Sequence, residues 1–233
     1  MKTSLAVEDL SYSYGRISVL NAISFSVQEG EFFIVIGPNG SGKTTLVRTI
    51  SGSLRPQRGQ TEILGCPIGS YSGKALARSV AVVTQTMPAD IPFTVEEVVL
   101  MGRSPHLSLL AVEKRKDMEL AESAMSFTGV QHLAGRRLDQ LSAGERQRVF
   151  VARAICQQPR IIVLDEPTAS LDLAHQIHVM DLLERLRMEE KITIIMVSHD
   201  LNLAAIYADR LLLLKAGGVW VTTATFRASA FPE

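Results

Sequence analysis

"EFFIVIGPNGSGKTTLVRTISG", residues 31–52, decides the fold. Residues 31–37, "EFFIVIG", carry an unbroken apolar run behind Glu31, as a strand buried on both faces requires. The run feeds a glycine-rich loop, and the residues after it read as a helix closed by Gly52. "GPNGSGKT", Gly37 to Thr44, fits G-x-x-x-x-G-K-S/T between strand and helix, the context that motif needs. Across Gly37, Pro38, Asn39, Gly40, Ser41 and Gly42 the glycines let backbone amides turn inward to cradle phosphate oxygens. Lys43 places a point charge near β- and γ-phosphates, the Thr44 hydroxyl can bind Mg²⁺, and Thr45 can reach an α-phosphate. The plain alternative is a flexible glycine turn ahead of a helix.

Outward from this centre the chain alternates. "LAVEDLSYSYG" and "ISVLNAISFSVQEG" read as two alternating strands joined by a turn at Gly15, and "QTEILG" and "SVAVVTQ" as further strands. From Thr94 to Gln158 no convincing strand occurs: "TVEEVVLMGR", "AVEKRKDMELAESAMSFTGV" and "SAGERQRVFVARAICQQ" are helical patterns. Strand character returns in "RIIVLDEP", followed by the helix "LAHQIHVMDLLERLRME", the strand "ITIIMVS", the helix "DLNLAAIYA" and the strands "RLLLLKA" and "GVWVTTA". The expected fold is α/β, with a helical insertion in an alternating domain.

The bulk numbers exclude several classes. The 233 residues suit one large domain or one with a subdomain. Lys+Arg and Asp+Glu both number 24, so no global charge argues for nucleic acid. Cys66 and Cys156 give no disulfide framework and no metal spacing, which fits a reducing compartment. "MKTSLAVEDL" lacks an apolar core of signal-peptide length, and no apolar run, "RLLLLKA" included, approaches a membrane span. Work at a membrane would therefore need a partner.

Other strand ends carry polar residues that would face one nucleotide. "RIIVLDEP" ends in two carboxylates, at the edge where α/β ligand sites form. Asp165 can enter a Mg²⁺ shell, and Glu166 can accept a proton from an attacking water. A solvated pair ahead of Pro167 is the plain alternative. His199 after "ITIIMVS" and Gln85 closing "SVAVVTQ" are each ambiguous alone and gain value from the shared arrangement. Tyr14 is either a flat face for adenine or a strand aromatic in the core.

"LSAGERQRVFVARA", residues 141–154, reads as a second helix start, with Val149, Ala152, Ile155 and Cys156 as its buried stripe. Ser142 and Glu145 form S-x-x-E, a capping box. The box leaves Gly144 unexplained, because glycine costs up to about 1 kcal/mol inside a helix. Glycine there allows another backbone or a ligand to come close.

In order, Tyr14, "GPNGSGKTT", Gln85, "LSAGE", "IIVLDEP", "SLD" (Ser170–Asp172) and His199 resemble the nucleotide-binding subunit of an ABC transporter over nearly the whole chain. They match that family's A-loop, Walker A, Q-loop, signature, Walker B, D-loop and H-loop. The resemblance implies a single ABC ATPase domain over 1–233. It places a RecA-like core with an antiparallel β subdomain at 1–88 and 159–233, and a helical subdomain carrying the signature at 89–158. The core is a P-loop NTPase fold with a mixed sheet.

ATP and Mg²⁺ are the implied cofactors, with Thr44, Gln85 and Asp165 around the metal and Glu166, His199, Gln85 and Lys43 as the catalytic set. Two copies would pair head to tail, so that Ser142, Ala143, Gly144 and Glu145 of one reach a nucleotide on the other's loop and Asp172 couples the two sites. Transmembrane permease subunits and, indirectly, a substrate-binding protein are the further partners; nucleic acid is not. The implied location is the cytoplasmic face of the cell membrane, peripherally bound.

"IPFTVEEVVLMGRSPHLSLLA", residues 91–111, resembles importer ATPases for ferric siderophores, haem and cobalamin. Met101, Leu107, Leu109 and Leu110 are either a permease-docking surface or ordinary subdomain core. A zinc or manganese importer, an exporter and a soluble nucleic-acid-associated ATPase of the family are the alternative readings. Two features depart from the family pattern. Ala143 replaces the first glycine of the usual L-S-G-G-Q/E, a change function is expected to survive. The tail "VTTATFRASAFPE" lacks the usual Gly-x-Pro turn and further helix, and takes no role here.

Overall fold

Side-chain alternation along the central strands divides the core into two halves. A computed structural model describes residues 2–85, 92–107, 114–215 and, for backbone only, 218–224. Along the chain run β1 (Thr3–Tyr14), β2 (Ile17–Gln28), β3 (Phe32–Ile36), α1 (Lys43–Ile50), β4 (Arg58–Ile63), β5 (Cys66–Pro67), α2 (Gly73–Ser79) and β6 (Val80–Val83). Then come α3 (Val95–Leu100), α4 (Arg115–Phe127), α5 (Ala143–Cys156), β7 (Ile161–Asp165), α6 (Leu173–Glu190), β8 (Thr193–Ser198), α7 (Leu201–Tyr207), β9 (Arg210–Lys215) and β10 (Gly218–Ala224). Among the described residues no helix is long and apolar enough to cross a membrane.

Two sheets result. An antiparallel one has the order β2-β1-β4-β5, and a mixed one has the order β10-β9-β3-β8-β7-β6. In the second, β9, β3, β8, β7 and β6 run parallel, with β10 antiparallel at the edge. Phe32, Ile34 and Ile36, with Ile162, Leu164, Ile194 and Met196, pack against the apolar stripes of α3 to α7. Their neighbours Phe33, Val35, Val163, Ile195 and Val197 point the other way, onto Leu46, Val47 and Ile50 of α1 and the inner face of β1 and β2. A period of two on strands buried on both faces produces this division. All parallel strands end at one edge, so the residues after β3, β6, β7 and β8 meet there.

The α/β class with its antiparallel N-terminal sheet and helical stretch is as the sequence indicates. Three local features differ. Helix α2, with Ser72 accepting the Ala75 N–H as its cap, buries none of its residues. It therefore carries no apolar stripe to read. The pattern after Leu100 does not continue α3: residues 101–106 form a tighter 3₁₀ turn containing Pro105. On α5, Ile155 is half-buried, whereas Val149, Ala152 and Cys156 are fully buried.

The turn at 101–106 is held from inside. Arg103 is buried and donates from Nε to Asp117 Oδ1 at 2.9 Å and from Nη1 to the Cys156 carbonyl at 2.8 Å. It thus ties the turn to both α4 and α5. On the outside, Lys74 donates to the Leu107 carbonyl at 3.0 Å and Arg78 to that of Pro105 at 2.9 Å, linking the turn to α2.

The Lys114 backbone N–H, and then the Arg103 guanidinium, hold the Asp117 carboxyl below the usual carboxylate range. Its folded pKa lies below its unfolded one, so this stabilisation is complete at neutral pH and lost as pH falls through the folded value. Asp117→Leu alone strands a buried guanidinium, and is expected to cost about 3–5 kcal/mol. That corresponds to a melting temperature lower by roughly 10 °C. Arg103→Met together with Asp117→Leu should recover most of the loss. Thermal melts of the single and double variants check this, and an unchanged single variant would rule out the strut.

Candidate functional site

At the carboxyl edge of the parallel strands lies a cleft of about 500 Å³, walled by Tyr14, Asn39, Lys43, Thr44, Gln85 and Glu166 among others. The loop from β3 to α1 forms its floor. Gly42 caps α1 at φ 100°, and a Cβ there would lie 2.8 Å from the Val19 carbonyl oxygen. Conformation and space both demand glycine. Pro38 takes the Ser41 N–H on its carbonyl at 3.2 Å. Ser41 Oγ is buried with no hydrogen-bond partner among the described residues, a donor still available in the loop. Lys43, only 5% exposed, donates to the carbonyls of Gly37 at 2.9 Å and Pro38 at 3.1 Å.

Glu166 is where the other strand ends converge. The chain leaves β7 with Glu166 at φ 49°, in the left-handed region that costs a residue with a side chain about 1–3 kcal/mol. Its N–H donates to the Val197 carbonyl of β8 at 3.0 Å, which fixes that turn. Glu166 Oε1 then lies 3.4 Å from Lys43 Nζ. Oε2 accepts from Gln85 Nε2 at 3.0 Å and lies 3.4 Å from His199 Nδ1. Side chains from three separate segments thus surround one carboxylate.

Beside it, Thr44 Oγ1 stands 3.5 Å from Asp165 Oδ1. Burial pushes the Asp165 carboxyl above the usual range; the Thr44 hydroxyl opposes that, and the neighbouring Glu166 carboxylate adds to it. A buried negative charge beside another is a place that a cation relieves. The donor set of one carboxylate, one hydroxyl and one amide suits Mg²⁺, which prefers few protein ligands and completes its shell with phosphate and water. No cluster of three His, Cys, Asp or Glu able to hold a metal occurs among the described residues. The oxygen donors of Thr44, Asp165 and Gln85 suit a metal that also binds phosphate. Tyr14 is 45% exposed at the cleft mouth, set edge-on to Tyr12 at 5.0 Å, so it is not a core aromatic. Thr45 lines the inner wall.

Ser142, Ala143, Gly144, Glu145 and Asp172 do not line this cleft. At the start of α5 the capping box is complete: Ser142 Oγ accepts the Glu145 N–H at 3.2 Å, and Glu145 Oε2 accepts the Ser142 N–H at 2.8 Å. The Ser142 hydroxyl and backbone together hold the Glu145 carboxyl low. Ala143 is exposed. Gly144 has a near neighbour instead of open space: a Cβ there would lie 2.5 Å from Cδ2 of His175. A side chain at 144 would therefore have to push the half-exposed His175 ring aside. Asp172 caps α6 by accepting the His175 N–H at 3.0 Å, and the ring reaches back to the same carboxylate. Sequence reasoning missed His175, although its D-x-x-H spacing from Asp172 was the available signal. It also missed Val19, whose close approach to Gly42 has no sequence signature.

Of the proposed docking residues, Met101 is 38% exposed and Leu107 half-buried; Leu109 and Leu110 lie outside the described residues, as do residues 225–233 of the tail.

A phosphate-cradling loop, a lysine inside it and a carboxylate held at the next strand end define a P-loop nucleotide hydrolase. A sequence model of the ABC transporter matches residues 20–169. The chain belongs to the ABC transporter family, and is an ATPase of it. It is 40% identical over 214 residues to the ferric enterobactin transport ATP-binding protein FepC of Escherichia coli (strain K12), covering 91% of this chain and 78% of that protein. It is 42% identical over 214 residues to an uncharacterized ABC transporter ATP-binding protein, YvrA, of Bacillus subtilis (strain 168). That match covers 91% of this chain and 48% of YvrA, so the chain spans about half of that relative. The dimeric structure of MJ0796, a bacterial ABC transporter cassette, superposes with a TM-score of 0.82 at 28% identity, covering 94% of this chain and 98% of that one.

Proposed function

We propose that this chain is the ATP-hydrolysing subunit of an importer that takes up a metal chelate (a ferric siderophore, haem or cobalamin) through a separate membrane permease. The observation that carries the ATPase chemistry is the convergence of Lys43, Gln85 and His199 on the Glu166 carboxylate. The chelate class rests on the likeness to FepC and on the 91–111 stretch. On this reading the core spans 1–88 and 159–233 and the helical subdomain 89–158.

The loop amides of 37–42 and Lys43 bind the phosphates of ATP, and Tyr14 faces its base. Glu166 accepts the proton of the attacking water, while Gln85 and His199 hold its Oε2 side and leave the carboxylate oriented. Thr44, Asp165 and Gln85 would hold Mg²⁺, which neutralises charge on the phosphates. Two copies pair head to tail, with Ser142 and Gly144 of each reaching the nucleotide on the other. ATP touches both copies only in the closed dimer, and that difference in contact is what shifts a bound permease. A substrate-binding protein delivers the chelate outside, and the chain works at the cytoplasmic face of the membrane.

Cells lacking the chain are expected to lose uptake of one of the three labelled chelates. The wild-type chain should restore it and Glu166→Gln should not. Uptake of all three unchanged, with uptake of free zinc or manganese lost, would overturn the chelate assignment.

A further inference from the structure

We infer that His175 is a positioning residue that locks the loop bearing Asp172 to the start of α5, so that the two surfaces meant for a second copy are presented as one piece. The inference rests on the head-to-tail dimer proposed above. The His175 ring makes two contacts at once. Its Nδ1 lies 2.8 Å from both Oδ1 and Oδ2 of Asp172. An ionised carboxylate only accepts, so Nδ1 carries the hydrogen and donates. The other edge of the ring lies over Gly144, close enough that a single methyl in place of the glycine hydrogen would collide with Cδ2. The Asp172 carboxyl is drawn below the usual range, first by the His175 backbone N–H and then by its ring.

These contacts are separable from helix capping. Asp172 Oδ1 also accepts the His175 backbone N–H at 3.0 Å, a bond that survives any substitution short of proline. The ring is thus free to do something else, and its place says what. Gly144 adjoins Ser142, and both belong to the surface proposed to meet the partner's nucleotide. Asp172 belongs to the loop proposed to couple the two sites. A ring fixed to the carboxylate and lying over the glycine holds the spacing between them before any partner arrives, so less ordering remains to be done on closing. A side chain at 144 would have to push this ring aside.

The test uses the full chain in the Glu166→Gln background, where an ATP-held dimer is expected to persist. Dimer dissociation is measured by sedimentation in ATP, and nucleotide affinity separately with a fluorescent ATP analogue at protein concentrations where the chain is monomeric. His175→Ala should weaken the ATP-held dimer by at least about tenfold and leave monomer affinity for the analogue within about twofold. His175→Asn keeps a donor for Asp172 without the ring over Gly144, and should recover part of the loss; it also carries the test if His175→Ala does not fold. A dimer as tight with His175→Ala as without it overturns the inference and leaves the proposed function intact. An equal loss of monomer nucleotide affinity overturns it too, because the role would then be general structure. Failure of Glu166→Gln itself to dimerise in ATP overturns the dimer, and the inference falls with it.

Discussion

Replacing Glu166 by glutamine is expected to lower ATP turnover by about 10²–10⁴-fold while ATP binding is kept. The geometry makes this a clean substitution. Glutamine has the same length and keeps an oxygen that accepts from Gln85 Nε2, now 3.0 Å away. The backbone turn at φ 49° is held by the Val197 carbonyl and depends on no side-chain charge. What is lost is the basic oxygen that takes a proton from water, and the negative charge beside Asp165. Losing the second relieves the crowding of carboxylates that, with burial, raises Asp165. A triphosphate then meets a less negative site, so its affinity should hold or rise. Bound but uncleaved ATP should keep two copies together. Turnover by phosphate release and mass by sedimentation in ATP check both halves. Turnover at the wild-type rate would remove Glu166 from the chemistry.

The features legible in the sequence were those where one residue type has one physical job. The apolar run 32–36, the loop 37–42 and the carboxylates after β7 each announce themselves, and β3 and β7 lie parallel in one sheet as that reading requires. Pairing at a distance was less legible. His199 and Gln85 were ambiguous until Glu166 stood between them, because a histidine or glutamine at a strand end has no meaning without its partner. Gly144 was legible as an anomaly and its cause was not, since the ring that fills its space comes from another helix. Helix α2 escaped because a helix that buries nothing leaves no periodic trace. Of the four residues read as either docking surface or subdomain core, Met101 is exposed and Leu107 half-buried, and Leu109 and Leu110 lie outside the described residues.

Lys43→Met is expected to fail at an earlier step than Glu166→Gln, at nucleotide binding itself. Methionine keeps the unbranched stem but not the ammonium, which donates to the Gly37 and Pro38 carbonyls and lies 3.4 Å from Glu166. Hydrogen bonds to a charged group contribute about 1.5–3 kcal/mol each, so one lost phosphate contact should weaken ATP by roughly 10–150-fold. The loss should depend on the phosphate chain. A charge placed at β- and γ-phosphates cannot matter to AMP, so AMP affinity should be unchanged while ATP affinity falls. The same comparison excludes a collapsed loop, which would weaken AMP, ADP and ATP alike. Turnover should be lost as well, because Glu166 loses its cationic neighbour and its orientation then depends on Gln85 and His199. The order of failure is what separates the two residues. Glu166→Gln holds ATP and does not cleave it, so it should trap a dimer; Lys43→Met does not hold ATP well enough to bring two copies together. An ATP titration of Lys43→Met matching the wild-type curve would contradict the cradle built from residues 37–44, whatever the turnover showed.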